Sequence, residues 1–106
     1  MKDKVKKLKL RLNKAKNSWY FVSISIKKIL RRNQRVSDYA RHYLFQCQVS
    51  LYSDKLLLKK YQEKISLLKE DTITEEEFEY IFDTLTNLIT DHQAKAIAIS
   101  NISKSN

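Results

Sequence analysis

The 106-residue chain predicts an all-α fold: an antiparallel bundle of three long helices at about 4–33, 37–70 and 75–102. Three observations carry this expectation. Apolar residues recur at alternating steps of three and four along most of the chain, which is the spacing of one helix face. Gly and Pro are both absent; tight hairpins and left-handed caps lean on glycine, and sharp stops lean on proline. Apolar residues make up 42 % and charged residues 31 %, which suits a packed core, and the length suits one domain over 1–106.

In the first segment Val5, Leu8, Leu12, Ala15, Trp19, Val22, Ile26 and Ile29 keep the helical step without a miss. A strand reading competes with it. "KLKLRL" at 7–12 and "WYFVSISI" at 19–26 both alternate, and the second is rich in strand-favouring residues. That alternative is an α+β fold with an N-terminal hairpin at 7–26. A two-stranded ribbon is marginal alone and finds no third strand in this chain, so the helix is preferred.

In the second segment Ser37 or Asp38 can cap, and the seam runs Ala40, Leu44, Cys47, Leu51, Asp54, Leu58, Tyr61, Ile65, Leu68. Asp54 interrupts it. With Ser53 alongside, the segment is one helix, or two if it breaks near Ser53, which makes a bundle of four. The third segment starts most clearly. Thr74 is the N-cap, Glu77 its capping-box partner, and Ile73 can staple onto Phe78. Phe78, Phe82, Leu85, Ile89, His92, Ala96 and Ile99 follow as its seam.

The net charge of +9 is unevenly spread. Residues 1–35 hold thirteen Lys/Arg against Asp3 alone, whereas residues 71–106 hold seven acidic residues against two basic ones. This gradient marks a basic N-terminal arm at 1–16. Lys27, Lys28, Arg31, Arg32 and Arg35 have an ordinary explanation, since cations stabilise a helix C-terminus. Lys2, Lys4, Lys6, Lys7, Lys9, Arg11, Lys14 and Lys16 do not. Several face the positive end of the helix dipole and they repel one another at helical spacing. The arm is expected to fray unless a polyanion quiets it.

The leading expectation is a small non-enzymatic protein, regulatory or accessory, that binds DNA or RNA through this N-terminal third. Lys4, Lys6, Lys7, Lys9, Arg11, Lys14 and Lys16 would meet phosphates, joined by Arg31, Arg32, Arg35 and Arg41 across the first turn. Tyr39, His42 and Tyr43 beside the arginines could stack on bases. The competing expectations are a solubilising tail, attachment to an anionic membrane surface, and an intracellular protein-binding bundle of immunity or inhibitor type. In the last, Phe78, Tyr80, Phe82 and Leu88 of the acidic third helix would form the contact. A homodimer is indicated if Leu10, Tyr20, Ile24 or Leu88 is exposed.

Arg35 and His42, separated by six residues, also resemble the arginine–histidine pair of HEPN ribonucleases. That resemblance implies a dimer of helical bundles in which His42 assists RNA cleavage beside Arg35. It covers those two positions alone. No cofactor or metal is expected. Cys47 is the single cysteine, which excludes an internal disulfide and fits a reducing, cytoplasmic setting. His92 reads as a core or bundle-edge residue. No stretch reaches the roughly 20 apolar residues that cross a bilayer.

Overall fold

The helical period prevails over alternation throughout "WYFVSISI". The computed structural model describes residues 3–32 and 35–104, and its elements are α1 (Lys4–Arg31), α2 (Asp38–Ser66) and α3 (Glu75–Lys104). There is no strand among the described residues. The hairpin alternative at 7–26 is therefore replaced by unbroken helix, with Val22 and Ile26 buried and Trp19 half-buried. Choosing this period leaves Tyr20 and Phe21 on the surface. Lys2 and the expected end of the first helix at 33 lie outside the described residues.

Helix α2 also runs without a break past Ser53, so the four-helix alternative does not hold. Asp54 neither caps nor kinks it, because its carboxylate is engaged across the bundle. The helix stops at Ser66, four residues earlier than expected. Backbone bonds from Leu67 to Lys64 and from Leu68 to Ile65 tighten its last turn, ending it without glycine. At the other ends the expected caps form: Ser37 Oγ accepts from Ala40 N at 3.1 Å, and Thr74 Oγ1 accepts from Glu77 N at 3.1 Å.

The three helices run up, down and up in a body of 54 × 19 × 17 Å, so α1 and α3 are parallel and α2 opposes both. Helix α1 packs extensively on α3, and α2 touches α3 least. Two apolar clusters fill the interior. One joins Val5, Leu8, Leu12 and Ala15 to Leu58, Tyr61, Ile65, Ile81, Leu85 and Ile89. The other joins Val22, Ile26 and Ile29 to Leu44, Cys47, Leu51 and Ile99. Ile81, fully buried, was not in the expected α3 seam; it takes the deep position, and Phe82 is half-buried beside it.

A polar layer separates the clusters. His92 has no solvent exposure, its Nδ1 lies 2.7 Å from Ser18 Oγ, and its Nε2 donates to Asp54 Oδ2 at 2.9 Å. One residue from each helix thus meets at the waist. Trp19, packed against both clusters, donates its indole N–H to the Leu51 carbonyl at 2.7 Å close by.

The start of α1 is capped from a distance. Glu70, in the α2–α3 connection, accepts from Val5 N at 2.8 Å and Lys6 N at 3.2 Å through one carboxylate oxygen. Its other oxygen is buried without a hydrogen-bond partner. The positive end of the α1 dipole faces this carboxylate.

Two outcomes are expected in urea unfolding. Glu70→Ala lowers stability by about 1–2 kcal/mol, the scale of losing a charged N-terminal cap. His92→Leu costs about 1–3 kcal/mol because it strands the Asp54 carboxylate. Adding Asp54→Leu recovers part of that loss, so the double-mutant cycle is non-additive.

Candidate nucleic-acid interface

The outward face of α1 is basic over its first half and again at its close, whereas residues 17–26 carry no Lys or Arg and expose Tyr20 and Phe21. Between Lys4 and Arg31 the helix carries no carboxylate, and its 28 residues extend roughly 40 Å at 1.5 Å per residue. Hydrophobic residues claim the inward positions, so the cations are left on the remainder of the surface.

The arm lysines differ in what they touch. Lys4 is drawn inward and pairs with Glu75 Oε2 at 2.5 Å, which withdraws it from the outer face. The Arg11 guanidinium lies 4.5 Å from the Phe82 ring centre, a cation–π contact that covers the half-buried ring. Lys7, Lys14 and Leu10 border the groove that Arg11 and Phe82 floor. Lys16 Nζ donates to Gln62 Oε1 at 2.7 Å on α2. Lys6 and Lys9 are exposed to solvent.

Residues 4–16 are therefore not a frayed arm. They form the first half of α1 and supply Val5, Leu8, Leu12 and Ala15 to the core.

The arginines Arg31, Arg32, Arg35 and Arg41 are all exposed, at the opposite end of the bundle from the lysines. Arg31 closes α1, Arg32 is its C-cap, Arg35 lies in the coil and Arg41 in the first turn of α2. Arg32 and Lys28 border a groove of about 220 Å³ with Ser25, Ser100 and Ser103. In α2 no acidic residue follows Asp38 until Asp54, and α3 has none after Asp91. This end is consequently less neutralised than the lysine end, where Glu70 and Glu75 already serve α1.

Of the three aromatic candidates here, Tyr39 and His42 are exposed, whereas Tyr43 packs against the second cluster. Burial, with Cys47, Asp91 and Tyr39 adding to it, pushes the Tyr43 hydroxyl up to about 12. Tyr43 belongs to the core more than to a stacking surface.

A third basic patch was absent from the sequence-based set. Trp19 and Tyr20 of α1 and Lys55, Leu58 and Lys59 of α2, together with Lys16, line a groove of about 370 Å³. Lys55 Nζ stands 5.8 Å from the Trp19 ring centre. Aromatic faces flanked by ammonium groups are the combination that single-stranded nucleic acid uses. Lys55 and Lys59 sit four residues apart, a signal visible in sequence, but only the antiparallel pairing of α1 with α2 brings them to Lys16.

Arg35 and His42 are not joined by a hydrogen bond among the described residues; the His42 ring instead lies 3.1 Å from the Gln46 amide, one turn along. No group of three His, Cys, Asp or Glu side chains gathers as metal ligands among the described residues, and none of their helices is long and apolar enough to cross a membrane. Comparison with protein-family models, curated proteins and solved structures finds no match for this chain.

Arg11 and Lys4 are expected to stabilise the fold. Arg11→Ala lowers stability by about 0.5–1 kcal/mol through lost cover over Phe82, and Lys4→Ala by less than about 1 kcal/mol. Lys9→Ala leaves the urea midpoint unchanged within error.

Proposed function

We propose that this chain binds nucleic acid along the outward face of α1, by phosphate contact and without catalysis. One observation carries the reading: the helix bears seven cations over 4–16 and three more over 27–31 with no carboxylate between them, and among its described side chains only Lys4 is held in an ion pair. Arg11 lies on Phe82 and Lys16 on Gln62, while Lys6, Lys7, Lys9, Lys14, Lys27, Lys28 and Arg31 are exposed to water. A polyanion laid along α1 replaces that water and releases its own condensed counterions, which is the main source of backbone affinity. The length of α1 matches about 12 nucleotides of one duplex strand at 3.4 Å each.

Lys6, Lys7, Lys9, Lys14 and Lys16 engage phosphates in the first half of the face, and Arg31, Arg32, Arg35 and Arg41 do so at the far end. The Trp19–Tyr20 groove with Lys55 and Lys59 lies between, and an unpaired base stacked there gives single strands an added contact. The protein-binding alternative draws less support. Phe78, Phe82 and Leu88 of α3 are committed to the first apolar cluster, with Phe78 and Phe82 stacked at 5.5 Å, leaving Tyr80 exposed.

Truncating residues 1–16 is a poor test, since it removes four core residues. Charge reversal of exposed positions keeps the fold. Mobility-shift titration with unrelated DNA and RNA oligonucleotides is expected to give binding that weakens by about 10³–10⁵-fold between 50 and 200 mM salt, the range for six to ten phosphate contacts. Lys16→Glu/Lys55→Glu/Lys59→Glu should weaken single-strand binding more than duplex binding, and should abolish any change in Trp19 emission on titration. Lack of a shift at 50 mM salt overturns the proposal.

A further inference from the structure

Helix α2 has two apolar seams, and the bundle uses one. The inner seam ends in the core. The outer seam is Phe45, Val49, Tyr52 and Leu56, spaced four, three and four, with 62 %, 55 %, 66 % and 54 % of each residue exposed. At 3.6 residues per turn it lies about 160° around the helix from the core seam. Scattered surface apolar residues need no explanation, but four at heptad spacing on one face do.

We infer that this seam is a homodimer interface, in which α2 packs antiparallel against α2 of a second copy about a two-fold axis between Ser50 and Leu51. The pattern reads the same in both directions about that point. Phe45 meets Leu56 of the second copy, Val49 meets its Tyr52, and each pairing recurs by symmetry, as an isologous contact requires.

The flanking charges support this partner and this direction. The residues bordering the seam are Arg41, Gln46, Gln48, Ser53, Lys55, Lys60 and Gln62. Antiparallel pairing sets Gln46 beside Ser53, Gln48 beside Lys55, and Arg41 beside Gln62, so no two cations meet along the flanks. Parallel pairing sets Lys55 against Lys60 of the second copy, which is repulsive. Beyond the four layers His42 faces Lys59 and Asp38 faces Glu63, and these contacts limit the interface to the apolar strip. Eight such side chains bury roughly 1,000 Å² in total, at the low end for specific association, which gives a dimer of micromolar rather than nanomolar strength.

Sedimentation equilibrium of the full chain over micromolar to millimolar concentration tests this directly. The expected result is reversible doubling of the 12.6 kDa mass. Val49→Glu, at an exposed position, should keep the helical circular dichroism and raise the dissociation constant at least about a hundredfold by burying charge at the centre. Leu10→Glu and Ile97→Glu, exposed apolar positions off the seam, should leave it unchanged. A short bifunctional maleimide should link Gln46→Cys/Ser53→Cys into a covalent dimer. A monomer at every concentration overturns the inference, as does a dimer indifferent to Val49→Glu. A Val49-dependent dimer without the crosslink overturns the antiparallel arrangement.

Discussion

One imidazole with no access to solvent sets the register of this bundle. His92 contacts Ser18 on one helix and Asp54 on another, at 2.7 and 2.9 Å. The apolar layers above and below it are built mainly of Leu and Ile, which tolerate exchange and slippage at little cost. A helix that slid by one heptad would still bury oil against oil. It would also leave a buried ring nitrogen or carboxylate unpaired, at about 1–3 kcal/mol for each lost partner. The polar waist therefore contributes less to total stability than to choosing one alignment among several apolar ones. The contacts at the lysine end depend on that alignment, since Glu75 reaches Lys4 and Phe82 reaches Arg11 only when α3 sits in this register on α1.

The same register answers how α1 tolerates its charge. A helix bearing cations near its positive end is opposed by its own dipole. Here the fold brings two carboxylates to that end, Glu70 on backbone N–H groups and Glu75 on the Lys4 ammonium. Because α1 and α3 are parallel, the acidic first turn of α3 lies beside the lysines rather than beside the arginines. Compensation is thus concentrated at one end. The arginine end retains its field, and a polyanion approaching α1 meets a graded surface whose strongest attraction lies farthest from the lysines that dominate the sequence.

Period was legible in the sequence, and partnership was not. The eight-position seam of α1 needed only the recurrence of Val, Leu, Ala, Ile and one Trp. Both expected caps, Ser37 and Thr74, formed because a side-chain oxygen next to an apolar run has few other uses. Asp54 misled as a break signal, since a carboxylate on a seam looks identical whether it ends a helix or reaches a histidine 38 residues away. Glu70 gave no signal, as capping at a distance has no local spacing. Ile81 was hidden by its neighbour Phe82, because a seam drawn in steps of three and four can pass through either. The Lys16–Lys55–Lys59 groove needed the helix pairing itself.

The two proposed surfaces are linked through charge. Each copy carries +9, so bringing two together on the outer α2 seam works against their mutual repulsion, and low salt makes that repulsion stronger. A bound polyanion removes much of it. By linkage, whatever nucleic acid contributes to dimerisation, dimerisation returns to nucleic-acid affinity by the same factor. Lys55 and Lys59 sit where this coupling is strongest: both border the stacking groove, and Lys55 flanks the α2 seam while Lys59 lies just beyond its last layer. Salt then acts with opposite signs on the two equilibria: it weakens phosphate contact by competing for the cations, and it strengthens pairing of the free chains by screening them.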